Sequence, residues 1–328
     1  MSSEWKNISE ESWKKLENIV EQEMLTPEEI RDNLEVTEKG RIRQSIQNCK
    51  HVLEHDPCLR GAVCRNEMTC QIDIKKKVPW KRRGVQMTDT DMNNLSLYLE
   101  KNYGLTSDRA IGKAIDIVAN DNSFHPIIDL LESLKWDGRP RIAGMLTHFF
   151  GAENPEYSGE VMKMHMLAAI SRLYEPGKKY DIMLCLVGGQ GTGKSTFFKY
   201  LAIQDEWFTD DVKRLDDKKV YEYLQGHWIV EMSEMNAVAN AKSIEETKSF
   251  LSRQKDTYRI PYERRAEDRY RQCVFCGTSN DLAFLPFDRT GNRRFGPVKV
   301  CPEKAETMIY RDCLLYTSPS PRDSTSSR

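Results

Sequence analysis

The chain has 328 residues, and 49 Lys+Arg against 50 Asp+Glu give a formal net charge of -1, which excludes a uniformly basic nucleic-acid binder but not a local basic strip. With 39% hydrophobic and 30% charged residues it reads as one large or two ordinary solvated domains, and its longest apolar run, residues 182–187, is far too short to cross a bilayer. Nine cysteines are too sparse for a disulfide scaffold, and Glu4, Trp5, Lys6, Glu10 and Glu11 leave no apolar leader core, so a reducing cytoplasm is the expected location.

In chain order, residues 1–35 hold two amphipathic helical patterns. Trp13, Leu16, Ile19 and Val20 mark the first, and Thr26 with Pro27 forms the N-cap and first position of the second. A helical run over 41–55 and short strands around Gly61 over 58–74 follow. Residues 75–83 then set six cations beside Trp80, which suits either a nucleic-acid contact or a charged loop. Thr88 and Asp89 open a helix carrying Leu95, Leu97 and Leu99, and 108–120 forms another. Trp136-Asp137-Gly138-Arg139-Pro140 is a turn. Further helices run through Phe150 and over 161–173, where Met162, Met164 and Met166 read as packing residues.

After Pro176-Gly177 the pattern changes to short apolar strands at 181–187, 227–232 and 272–277, with a helix over 195–201 after the first. Strands alternating with helices predict a largely parallel, helix-covered sheet. The resulting division is an accessory region 1–85, a helical region 86–155, an α/β domain 156–312 and a tail 313–328. That tail, low in complexity from Cys313, reads as a translated sequencing-library adapter, which implies that the natural chain continues beyond Asp312; a disordered Ser/Pro tail is the alternative.

The main chemical signal is Gly188-Gly189-Gln190-Gly191-Thr192-Gly193-Lys194-Ser195, a complete G-x-x-x-x-G-K-S between a predicted strand and helix. Glycines let backbone N–H groups close around phosphates, and the helix N-terminus, reaching Thr196, adds a favourable dipole. Lys194 is expected on the β- and γ-phosphates of ATP and Ser195 on Mg2+. In the acidic strand, Glu231 is assigned to the metal and Glu234 to the attacking water, though these roles could be exchanged. A third strand ends at Asn280, in reach of the γ-phosphate or the water, and Arg293 and Arg294 follow on a basic loop. The acidic strand is expected beside the glycine-loop strand.

Two other groupings carry less. Cys49, His51, His55, Cys58, Cys64 and Cys70 are spaced like no common zinc module, and Cys273 and Cys276 lie in a strand without a partner pair, so structural thiols are expected. Between the acidic strand and Asn280, seven cations stand against four acids, with Tyr258 and Tyr262 interleaved, a composition for gripping phosphates or for a salt-bridged surface ribbon.

The order of these signals resembles the superfamily 3 helicases of viruses and mobile elements, and more closely the virulence-associated protein E family of phages and phage-related islands. The resemblance rests on residues 228–234 (Trp-Ile-Val-Glu-Met-Ser-Glu), 258–262 (Tyr-Arg-Ile-Pro-Tyr) and 291–295 (Gly-Asn-Arg-Arg-Phe), with His125-Pro126 and 136–140 upstream. It implies an ASCE-type, AAA+-like P-loop ATPase that assembles into a ring in a bacterial host cell and acts on single-stranded or forked DNA, alongside a primase or polymerase. Asn280 becomes the sensor, and Arg294, or Arg293 in its place, the finger on a neighbour's nucleotide. The basic segment becomes a pore hairpin, with Lys255, Tyr258, Arg259, Arg264 and Arg265 as DNA contacts. The residues alone leave two rivals, a P-loop kinase and a nucleotide-gated DNA-binding switch.

Overall fold

The computed structural model of the chain describes residues 25–212, 220–233, 241–258, 267–281 and 292–305. The helical pattern expected within 1–24, the 313–328 tail, Glu234, Arg259, Tyr262, Arg264 and Arg265 lie outside them. Two compact units divide the chain, Met1–His125 and Pro126–Arg328. No helix among the described residues is long and apolar enough to cross a membrane.

In the first unit, each helix starts where the sequence supplies a cap. Helix α1 (Pro27–Asp32) has the Thr26/Glu29 capping box with proline in its first turn. Helix α2 (Ile46–His55) is capped by Ser45, α3 (Asp89–Tyr103) by a Thr88/Asp91 box, and α4 (Asp108–Asp121) by Ser107. Between α2 and α3, strands β1 (Val63–Asn66) and β2 (Gln71–Ile74) form an antiparallel pair. Val52, Leu53, Leu95, Leu99, Ile111 and Ile115 fill the core. Leu97 does not join them: two residues from Leu95 on a helix is the opposite side, and it is exposed. Buried Asp56 fastens the end of α2 to α3 by accepting from the Tyr98 and Tyr103 hydroxyls at 3.0 and 2.6 Å.

The second unit is a mixed α/β assembly. Helices α5 (Pro126–Ser133), α6 (Met145–Phe150) and α7 (Pro155–Tyr174) precede the sheet. Its first strand, β3 (Met183–Val187), leads through the glycine loop into α8 (Lys194–Leu201). Then come β4 (Phe208–Thr209), α9 (Val220–Leu224), β5 (Ile229–Met232) and α10 (Ala241–Leu251). A separate antiparallel pair, β6 (Lys255–Tyr258) and β7 (Glu267–Tyr270), comes before β8 (Val274–Ser279) and β9 (Phe295–Lys299).

The five sheet strands run in the order β4-β5-β8-β3-β9, every pairing parallel. This corrects the expected adjacency of the acidic and glycine-loop strands, because β8 lies between them. Period-two alternation turns Met183, Cys185, Val187, Val230, Met232 and Phe275 to one face, where Val220 of α9 and Ile244, Phe250 and Leu251 of α10 cover them. On α7, Met162 and Met166 are buried but Met164 is exposed, so only two of the three methionines pack inward. Helix α7 also holds the amino ends of β5 and β8. The Trp228 indole donates to Ala169 O at 3.0 Å, and buried Arg172 donates to the carbonyls of Cys273, Lys178 and Tyr180.

Candidate functional site

In an open parallel sheet, groups at the carboxyl ends of neighbouring strands converge. Here that end gathers the glycine loop after β3, Glu231 in β5, and Thr278 and Asn280 at the end of β8. Two glycines of the loop have positional reasons. Gly193, at φ 81, is the left-handed residue that turns the loop into α8. Gly188 lies against the strand-end β9 backbone, where an added Cβ would meet Val300 O at 2.9 Å. That approach is fixed by Val300 N donating to Val187 O at 2.7 Å.

Lys194 is buried, and its amine is folded onto the loop. It donates to Gly188 O at 2.8 Å, Gly189 O at 2.7 Å, Thr192 Oγ1 at 3.3 Å and Asn280 Oδ1 at 3.2 Å. Burial pulls its pKa down, partly offset by the Glu231 carboxylate. The neighbouring Gly189, Gln190 and Gly191 are exposed, as is Ser195, while Thr192 is half-buried.

Glu231 is fully buried beneath this loop. Its Oε1 accepts from the Ser195 hydroxyl and from the Thr278 hydroxyl, each at 2.7 Å. Its Oε2 is buried with no hydrogen-bond partner among the described residues. Burial pushes the Glu231 pKa up, against the pull of the Thr278, Ser195 and Ser233 hydroxyls. A buried carboxylate with one oxygen held and one spare is a costly arrangement unless a cation or a proton completes it. Thr278 was not singled out from sequence. Its position two residues before Asn280 on an apolar strand was the available signal, but only β8 lying between β5 and β3 gives it a partner.

Other expected residues are placed elsewhere. Arg294 precedes β9, so it stands at the amino ends of the strands, the edge opposite the glycine loop. Its Nε is 3.1 Å from Asp181 Oδ2, whereas Arg293 beside it is exposed with no ion pair among the described residues. Within the basic segment, β6 and β7 pair antiparallel, while Arg259, Arg264 and Arg265 between them lie outside the described residues. In β6, Lys255 is paired with Asp268, and the Tyr258 ring stacks on Tyr221 with centroids 5.7 Å apart. Tyr258 also donates its hydroxyl to Gln225 at 3.1 Å. Buried Arg271 and Asp256 form a two-bond ion pair at 2.6 and 2.9 Å. Cys273 and Cys276 are buried, and burial raises both thiol pKa values.

Comparison with known proteins adds the following. A search among curated proteins gives no match. Among solved structures, the apo structure of NrS-1 C terminal region (305-718) is similar at a TM-score of 0.44 and 15% identity, over 79% of this chain and 72% of that one. The A form apo structure of NrS-1 C terminal region-CTR is similar at a TM-score of 0.47 and 16% identity, over 78% of this chain, which spans 63% of that one's length. The family description that matches is the virulence-associated protein E-like domain, over residues 131–315, more than half of the chain and including every element of the sheet and its loop. The chain therefore belongs to the virulence-associated protein E-like family.

Proposed function

We propose that this protein is a Mg2+-dependent ATPase of the ASCE, AAA+-like type, and that it works as an oligomeric DNA translocase or helicase in the replication of a phage or mobile element. The observation that carries this reading is the shared anchor at Glu231, whose Oε1 accepts from Ser195 of the glycine loop and Thr278 of the intervening strand while Oε2 has no hydrogen-bond partner among the described residues. The sheet order, with one strand between the glycine-loop strand and the acidic strand, supports the ASCE assignment.

The residues fit a magnesium site. A serine hydroxyl and one carboxylate are a suitable oxygen donor set for an ion that completes its shell with water and substrate phosphates, and the spare Glu231 oxygen is the vacant donor. Bound there, the ion supplies charge neutralisation on the phosphates. The backbone N–H groups of residues 189–195 surround the phosphate chain, and Lys194 exchanges two carbonyl partners for phosphate oxygens. Asn280, already on the Lys194 amine, is in position to follow the γ-phosphate, and Glu234 orients the attacking water. The water oxygen bonds to the γ-phosphorus as its bond to the bridging oxygen breaks. The β6–β7 segment couples this cycle to DNA through Arg259, Arg264 and Arg265, which lie between its strands in sequence, with Lys255 contributing after release from Asp268.

The test is steady-state ATPase activity, with and without single-stranded DNA, for wild type and Glu231→Gln. The expected result is DNA-stimulated hydrolysis in wild type and loss of turnover with retained nucleotide binding in the variant, because glutamine still accepts from Ser195 and Thr278. Binding without turnover in wild type would select the nucleotide-gated switch instead. Phosphoryl transfer to a small acceptor, indifferent to DNA, would select a kinase.

A further inference from the structure

The basic run of the first unit is a built loop and not a loose charged strand. Strand β2 runs out to Ile74, and the chain returns beside it, with Ile74 N donating to Val85 O at 2.9 Å and Met87 N to Ile72 O at 2.8 Å. Within residues 75–84, Val78 is buried in the core of the unit. The Arg82 guanidinium donates to Asp91 at 2.9 Å and to the carbonyls of Ile74, Val85 and Gln86. The Trp80 indole donates to the same buried carboxylate at 2.9 Å. Burial raises the Asp91 pKa, but the stronger combined pull of Arg82, Trp80 and Thr88 holds it far below the usual carboxylate range, so the anchor stays charged.

These anchors use one cation of six and leave the others outside. Lys75 lies over the Phe124 ring at 3.3 Å, and Lys76 donates to Arg60 O at 2.6 Å. Lys77, Lys81 and Arg83 are exposed and make no hydrogen bond or ion pair among the described residues. No acid occurs from 75 to 88, so nothing in the loop neutralises them. A fixed, unneutralised cation array has the form of a polyphosphate contact, since ordering costs are already met in the free protein.

We propose that residues 75–84 are a second nucleic-acid contact, binding the phosphate backbone by charge alone. Base stacking is excluded by the loop's own packing, because Trp80 is bound to Asp91 and Phe124 is covered by Lys75. A membrane surface is disfavoured for a related reason. The loop offers no exposed aromatic anchor, and among residues 75–88 only Val85, at its closing end, is an exposed large apolar residue. The proposal is argued from the first unit's own residues and does not rest on the nucleotide reading.

The experiment is fluorescence-anisotropy titration of the full chain, without nucleotide, against a labelled duplex and its single strand from about 50 to 200 mM KCl. The variants are Lys77→Gln/Lys81→Gln/Arg83→Gln together, Lys77→Arg/Lys81→Arg/Arg83→Lys as the charge-preserving control, and Lys194→Ala. The triple glutamine variant is expected to weaken binding to both strands and to lower the slope of log affinity against log salt by about 3. The charge-preserving and Lys194→Ala variants keep the wild-type slope, so a failed ATPase reading would leave this result standing. An unchanged slope in the glutamine variant overturns the proposal. So does a loss confined to the single strand, which would signal stacking. Trp80, Arg82 and Asp91 are untouched, so an unaltered thermal transition checks that the loop's anchors survive.

Discussion

Glu231 and His165 show how differently two buried polar side chains can be supported. Glu231 has hydroxyl donors on one oxygen and opens toward the glycine loop. His165 is fully buried on α7 with neither ring nitrogen hydrogen-bonded among the described residues, its ring 6.5 Å from Phe198 of α8. Desolvation pushes its pKa down from 6.5 to about 4. The unfolded chain therefore binds the extra proton first, and the stability held above pH 6.5 is lost as pH falls through that window toward 4. His165→Leu is expected to stabilise by about 1–3 kcal/mol, because an unsatisfied buried polar ring is removed. Its melting temperature should also fall less than wild type between pH 7 and pH 5. Equal losses in the two proteins would show that His165 is not the titrating group. At Gly188 the expected change has the opposite sign. Gly188→Ala drives a Cβ toward Val300 O and should cost about 1–3 kcal/mol by thermal or urea unfolding, before any effect on phosphate binding.

At the scale of elements, the paired strands β6 and β7 are held at one end by a buried ion pair. The pair is Arg271 and Asp256, which are buried, bonded twice to each other and capped by Phe250 O at 2.6 Å. Asp256→Ala would strand the guanidinium and should destabilise by about 3–5 kcal/mol. Asp268→Ala, at an exposed pair with Lys255, should leave the urea midpoint nearly unchanged while freeing a cation on the hairpin. A large destabilisation by Asp268→Ala, or none by Asp256→Ala, would contradict this division of roles. Two cations that looked alike in sequence thus separate into an internal tie, Arg271, and a paired surface residue, Lys255. Sequence could not sort them, because Arg271 and Lys255 differ in burial and not in chemistry.

For the molecule as a whole, the parallel sheet sets the glycine loop and the Arg293-Arg294 pair at opposite strand ends. An arginine there is distant from its own chain's loop along the strands, which suits a finger offered to a neighbouring subunit. Arg294 is held by Asp181, and Arg293 is exposed. If a ring forms as proposed, mixing Lys194→Ala subunits with Arg293→Ala subunits should recover ATPase activity that neither variant has alone. In mixed rings, an intact glycine loop can meet an intact arginine. No recovery with Arg293→Ala but recovery with Arg294→Ala would move the role to Arg294 and make the Asp181 pair a resting state.

Local chemistry was legible in the residues. The Thr26 cap, the Thr88 helix start, the β3-loop-α8 transition and the three apolar strands follow from hydrogen-bonding needs and periodicity within a few residues, whereas the Ser45 and Ser107 caps came only from the structure. The glycine-loop motif and its family resemblance were equally local. Strand order was not, because parallel neighbours are joined by long crossovers and each β5 or β8 side chain is compatible with several partners. Nor did the short β9, interrupted by Pro297, announce itself as the edge that packs on Gly188. Only the tertiary structure put Thr278 beside Glu231, bound Trp80 and Arg82 to Asp91, and turned Tyr258 onto Tyr221. The physical reason is the same in each case: the sequence specifies what a side chain can bond to, while long-range packing selects which partner it meets.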